Sequence, residues 1–246
     1  MCWALMRCAG SDEQCPLPGF AWALRFSMAN RLVEFRKSAL KNVGVAVGSE
    51  SANSGNQTPD SQESFGVQSW GVSAKQSFTR MPFWTEDDLP VVQSALLKLE
   101  QGCRARQVPV VHIFHCGNSG AFAPESGFVK ALAWLPGEPA VRFDKHTHNA
   151  FTDTGLDLWL RRHGIQKIIV SGIRTEQCCE TTARVGSDLG YRVDFVTEAT
   201  LTFPMTHAGT GVTFSAQDIK TRTELVLQDR FARVVDVDSC LADLAA

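Results

Sequence analysis

From residue 76 onward the sequence keeps switching between two periods, and that alternation restricts the fold more than any other feature. Val92, Leu96, Leu99 and Cys103 recur at helical spacing. The run QVPVVHIFH that follows is short, β-branched and apolar, as in a strand buried on both faces. Leu156, Trp159, Leu160 and His163 mark a second amphipathic helix stopped by Gly164, and IQKIIVSG reads as another buried strand. Thr175 is placed to cap a helix whose buried face is Cys178, Thr182, Val185 and Leu189, closed by Gly190. YRVDFV then reads as a strand, Ser215 with Asp218 opens a late helix through an S-x-x-D box, and RVVDV reads as a last strand. Strands alternating with helices in this way build βαβ units, so the expected class is α/β: a parallel sheet with helices on both faces.

The first part of the chain lacks either period. Residues 43–75 are dominated by Gly, Ser, Asn and Gln, with few large apolar groups to offset the entropy of ordering them. Residues 1–42 hold apolar pieces without a sustained repeat. The expectation is a low-complexity, disordered extension over residues 1–70 and one domain over residues 71–246.

Composition removes several functions. A net charge of −2 without blocks of Lys or Arg leaves no electrostatic footprint for nucleic acid or an anionic membrane. No apolar run approaches the roughly 20 residues that a span requires. Arg7 and Arg25 interrupt the N-terminal apolar stretches, which read poorly as a secretory signal, so the expected location is cytoplasmic. The eight cysteines, at 2, 8, 15, 103, 116, 178, 179 and 240, form neither a disulfide framework nor a pair of CxxC zinc knuckles.

In a parallel sheet, sites lie where the carboxyl ends of strands turn into helices. IIVSGIRTEQCCETTAR puts Cys178 at such a junction, near exposed N–H groups and the positive end of a helix dipole. That setting favours thiolate, the attacking form. A buried cysteine packing against the sheet is the other reading. Cys179, one position on and about 100° around the helix, is an internal control.

These residues carry a resemblance. G-I-x-T-x-x-C-C-x-x-T-A, from Gly172 to Ala183, resembles the nucleophile signature of the isochorismatase-like cysteine hydrolases, a family that includes nicotinamidases, carbamoylsarcosine amidases and ureidoacrylate amidases. FDKHTHNAF, Phe143 to Phe151, is similar to that family's Lys-x-x-x-Ser-Ala-Phe block and aligns its catalytic lysine with Lys145. QSF followed by MPFWTEDDLP is a looser match to the end of the first strand and the loop after it.

The resemblance implies a three-layer sandwich around a Rossmann-like parallel sheet of about six strands and an Asp–Lys–Cys triad. In such a triad the aspartate takes the thiol proton and later hands it to the leaving group, while the ammonium stabilises the thiolate. A cis peptide before Arg174 would turn the N–H groups of Arg174 and Cys178 toward the oxyanion. Phe78, Trp84 and Phe151 fall where the family has aromatic pocket walls. Arg174 is a candidate for binding a substrate carboxylate through its planar fork, or else an exposed turn residue.

One element departs from the pattern. Counting five residues back from Phe78 puts Ser73 where the family has its aspartate, and Lys75 stands where a glutamine is usual. Serine cannot act as the carboxylate base. The stretch from Ser69 to Ala74 also reads as too short and too polar for a central strand. Three explanations are open: residues 1–75 are not the family's own sequence; the chain is an inactive descendant; or another carboxylate, such as Asp60, Glu86 or Asp87, folds back.

His112, His115, Asp144, His146 and His148 invite a metal reading, but the D-x-H element of metal-bearing nicotinamidases is absent from the family-like region, so no metal and no cofactor are expected. Glu176 and Glu180 suit the helix dipole and carry no catalytic assignment. A vicinal Cys178–Cys179 redox pair is a minor alternative, because adjacent cysteines close only a strained ring. The expected activity is attack by Cys178 on a C–N bond of a small amide or related compound, giving a thioester that water hydrolyses. The alternative is a silent small-molecule-binding homologue that cannot finish the proton relay because of Ser73. The expected partners are a small-molecule substrate and, as is common in the family, further copies of the chain.

Overall fold

Among the described residues, six parallel strands form one sheet, in the spatial order Val141–Lys145, Val110–His115, Gly66–Val72, Ile165–Ile173, Arg192–Leu201 and Arg233–Val234. The structure is a computed structural model that describes residues 66–72, 74–135 and 137–244, with side chains from Ala74 onward. The strands are β1 (Gly66–Val72), β2 (Val110–His115), β3 (Val141–Lys145), β4 (Ile165–Ile173), β5 (Arg192–Leu201) and the two-residue β8 (Arg233–Val234). A short antiparallel hairpin, β6 (Met205–Thr206) with β7 (Thr213–Phe214), stands apart from the sheet. The helices are α1 (Leu89–Ala105), α2 (Leu156–Arg162), α3 (Glu180–Asp188), α4 (Ala216–Leu227) and α5 (Val237–Ala242).

The central strand corrects the sequence reading. β1 begins at Gly66, so the expected boundary at residue 70 falls inside it, and the stretch judged too polar for a strand continues one three residues older. Its register runs from Ser69 opposite Val110 to Val72 opposite Ile113 on one side, and from Val67 opposite Lys167 to Val72 opposite Gly172 on the other. A strand laddered on both edges satisfies its backbone whatever its side-chain polarity, which an apolar-run criterion does not weigh.

Alternation along the strands divides the core between two faces. Val111, Ile113, Ile168 and Val170 pack with Leu156 and Leu160 of α2, Ala183 of α3 and Leu227 of α4. On the other face, Val110, Ile169, Ile173 and Val196 pack with Val92, Leu96, Leu99 and Cys103 of α1 and with Val237, Cys240 and Leu241 of α5. The result is the three-layer α/β sandwich expected from the sequence.

Local signals explain several helix ends. Gly164 closes α2 at φ 65°, the left-handed C′ conformation that glycine adopts without strain. Ser215 and Asp218 form the reciprocal capping box of α4. α3 differs from expectation. A π-helical turn, Thr175–Cys179, precedes it, and the Thr175 hydroxyl donates to Thr200 Oγ1 at 2.8 Å instead of capping. The buried face of α3 is Thr182, Ala183 and Gly186, whereas Leu189 is exposed. Small residues let the helix sit close to the sheet: a Cβ on Gly186 would lie 2.9 Å from Ile168 Cδ1 and 3.3 Å from Phe151 Cε2.

Candidate active site

The strand order fixes where a site belongs. The chain runs from β1 to β2 and β3 on one side, then crosses to β4 on the other, so the carboxyl ends of β1 and β4 flank a topological switch point. Lys75 follows β1, His115 and Cys116 end β2, Lys145 ends β3 and Cys178 follows β4. His115 and Lys145 are direct register partners. Residues distant in sequence are thereby gathered at one edge of the sheet.

Lys145 and Cys178 meet. The Lys145 Nζ donates to Cys178 Sγ at 3.3 Å, to Thr147 O at 2.7 Å and to His148 O at 2.8 Å, which uses all three donors of an ammonium group. Lys145 is fully buried, while Cys178 retains 6% exposure in the π-helical turn. Its neighbour Cys179 has none, and burial first, then the Cys178 sulfur, pushes the Cys179 thiol well above its ordinary range. The two adjacent cysteines differ: Cys178 meets the Lys145 amine, and Cys179 is fully buried in the core. The Ile173–Arg174 peptide bond is cis, at the position where the resemblance implied one.

Lys75, noted in the sequence only as the wrong charge in the wrong place, is also inside the site. An antiparallel bridge to Ala131, with Gln76 N–H donating to Lys130 O and Leu132 N–H to Ala74 O, fixes its backbone. Its side chain is fully buried, and among the described residues Nζ has no hydrogen-bond partner. Nζ lies 4.3 Å from the centroid of the Phe122 ring and 6.0 Å from that of Phe78. Burial pulls the amine down to about 7, and Lys145 pushes the same way, against the opposing influence of Cys116, Cys178 and Asp144. The His115 imidazole is pulled down to about 4 by burial and then by Lys145 and Lys75.

The aromatic candidates separate. Phe78 is buried and meets Phe122 edge-on at 5.2 Å, beside Lys75. Trp84 and Phe83 pack on Phe203, at 5.5 and 5.1 Å. Phe151 lies under α3 against Gly186 and is stacked on Tyr191 at 5.7 Å, in the same core layer as Cys178. Arg174 is no exposed turn residue. Its guanidinium pairs with Glu176 at 3.1 Å and lies over the rings of Phe83 and Phe203.

The remaining histidines scatter. His112 is buried on the α1 side, 3.9 Å from Glu100. His146 Nδ1 sits 3.1 Å from Cys116 O, and His148 stacks at 6.3 Å on His115. Among the described residues, no three His, Cys, Asp or Glu side chains are grouped to hold a metal ion. Glu86 and Asp87 are exposed, while Ser73 and Asp60 lie outside the described residues. Sequence reasoning missed the inward course of Lys75 and the part of Phe122; the one available signal was a lysine directly before a motif whose neighbours are apolar.

Comparison with known proteins follows this geometry. Residues 76–236 match the profile described as Isochorismatase domain. The chain is 36% identical over 100 residues to Nicotinamidase 3 of Arabidopsis thaliana, a match covering 41% of the chain and 44% of that protein. It is 34% identical over 96 residues to Streptothricin hydrolase of Streptomyces noursei, covering 38% and 35% respectively. The chain thus spans under half the length of both of these relatives. A crystal structure of an isochorismatase-family protein from Chromobacterium violaceum superposes with a TM-score of 0.67 at 25% identity, covering 75% of this chain and 95% of that one. No helix among the described residues is long and apolar enough to cross a membrane.

Proposed function

The chain belongs to the isochorismatase domain family, a family of hydrolase type, and from that premise we propose that it hydrolyses a C–N bond of a small amide or related compound through a thioester on Cys178. The observation that carries this reading is the 3.3 Å contact between Lys145 Nζ and Cys178 Sγ at the carboxyl ends of the strands. The Lys145 nitrogen that meets the sulfur is held by two carbonyls, so it need not move for the sulfur to react. The backbone N–H groups of Arg174 and Cys178, flanking the turn after β4, are the proposed oxyanion donors, which act where negative charge appears in the transition state.

Phe78 and Trp84 are the proposed apolar walls, with Phe151 bracing the nucleophile helix from below. Arg174 is already engaged by Glu176, so its proposed part is to hold the turn, and a substrate carboxylate would have to compete with that ion pair. The names of the relatives, a nicotinamidase and a streptothricin hydrolase, support C–N hydrolysis as the reaction class. Assembly with further copies of the chain remains part of the proposal.

The test is ammonia or amine release from a panel of small amides, nicotinamide among them, by the full chain and by Cys178→Ala. Turnover that vanishes in Cys178→Ala supports the reading. Failure of the wild-type sulfur to take up an acyl group from any activated probe overturns it in favour of a silent binding homologue.

A further inference from the structure

Two lysines are buried at this one site, and the structure treats them oppositely. Lys145 spends every donor on an acceptor. Lys75 has none among the described residues and lies against the Phe122 ring. Burying an ammonium without acceptors is expensive, and a buried lysine answers by giving up its proton. A neutral amine has a lone pair, which makes it a base.

Among the described residues, the other groups facing that amine are poor candidates for the same work. Asp144 is exposed and forms a two-pronged pair with Arg142 at 2.9 and 3.1 Å. His115, held down to about 4, binds a proton too weakly to compete with a thiolate. Lys145 is already fully hydrogen-bonded. Cys116 is buried, its thiol raised chiefly by burial and then by Asp144.

Resting on the hydrolase reading above, we infer that the Lys75 amine, buried and uncommitted beside Phe122, is the base that accepts the Cys178 proton where the family uses an aspartate. The steps balance. The Cys178 S–H bond breaks and an N–H bond forms on Lys75; the thiolate adds to the amide carbonyl carbon. The C–N bond then breaks as the Lys75 ammonium gives its proton to the departing nitrogen, leaving a thioester and a neutral amine. Lys75 next takes a proton from water as the hydroxide adds, the C–S bond breaks to release the carboxylic acid, and the proton returns to sulfur. An amine poised near neutrality serves both directions of transfer.

The experiment uses the full chain, Lys75→Met and Lys75→Arg, with iodoacetamide as the thiol probe and 4-nitrophenyl acetate as the acyl probe, and Cys178 adducts quantified by peptide mass spectrometry. Lys75→Met keeps the stem and removes the base, so alkylation of Cys178 at neutral pH should fall by about tenfold or more. Lys75→Arg keeps the positive charge but cannot accept a proton, so alkylation should fall as in Lys75→Met, whereas alkylation retained in Lys75→Arg would mark a purely electrostatic role and overturn the inference. Unchanged alkylation in Lys75→Met, or wild-type turnover in Lys75→Arg, overturns the inference. If wild-type Cys178 takes no acetyl group, the hydrolase reading falls, and the alkylation ratio alone then decides whether Lys75 is the thiol's proton acceptor. Circular dichroism melts of both variants separate loss of the base from loss of the fold.

Discussion

Replacing Lys145 by methionine removes one positive charge and almost no volume, which makes it the sharpest probe of the sulfur's ionisation. Coulomb's law gives about 5 kcal/mol for unit charges 3.3 Å apart at an effective dielectric of about 20. Part of that is already spent, because the carbonyls of Thr147 and His148 share the ammonium and because both charges are desolvated. A net loss on the order of 2 kcal/mol remains in the stabilisation of negative charge on the reacting sulfur, which is roughly thirtyfold in rate. The assay is the second-order rate of Cys178 alkylation by iodoacetamide across a pH series, with Cys179 in the same peptide as internal reference. Lys145→Met should react roughly thirtyfold more slowly at neutral pH. Equal rates in the two proteins would refute the argument that this amine stabilises negative charge on this sulfur.

Four further outcomes follow from the same structure. Glu180 accepts from Arg184 at 2.9 Å, from Arg222 and from the buried Thr223 hydroxyl at 3.1 Å, joining α3 to α4; with both arginines partly in solvent, Glu180→Ala should cost about 2 kcal/mol in urea unfolding. Leu160, 1% exposed between α2 and the sheet, should cost about 2 to 5 kcal/mol on truncation to alanine, measured the same way. His115 binds its proton near 4 when folded and near 6.5 when unfolded, so the unfolded chain takes up the extra proton between those values and stability falls as pH drops through that window; His115→Asn should flatten the fall, and an unchanged slope in urea midpoints refutes it. Lys75 follows the same sign at higher pH: with about 7 folded against 10.5 unfolded, wild type gains stability as pH rises between them, and Lys75→Met should lose that gain in thermal melts.

The parts of the fold that were legible in the sequence are those where burial and local geometry agree. Val92, Leu96, Leu99 and Cys103 face the sheet from α1 as their spacing requires, Gly164 takes the left-handed C′ conformation, and Ser215 with Asp218 builds its box. Cys178 and Lys145 were legible as a pair only through the resemblance, since 33 residues separate them and no local pattern links them. β1 was not legible because pairing on two edges, not side-chain polarity, makes Gly66–Val72 a strand. The expected face of α3 holds at Cys178 and Thr182, with Val185 packed at its margin, but Leu189 is exposed and the close approach to Ile168 brings Ala183 and Gly186 onto the buried side, which large-residue periodicity does not weigh. Lys75 read as an intruder because charge was weighed without burial, and burial is what changes its chemistry.

The loop after β3 holds the nitrogen of Lys145 by the carbonyls of residues 147 and 148, and at Ala150 in the same loop the backbone N–H donates to Thr182 Oγ1 of α3 at 3.0 Å. Thr182 stands one helical turn beyond Cys178. Loop, amine, sulfur and helix thus close a small mechanical ring, and a shift in any member is carried to the others. Ligand entry cannot stretch the nitrogen-to-sulfur spacing without opening that ring.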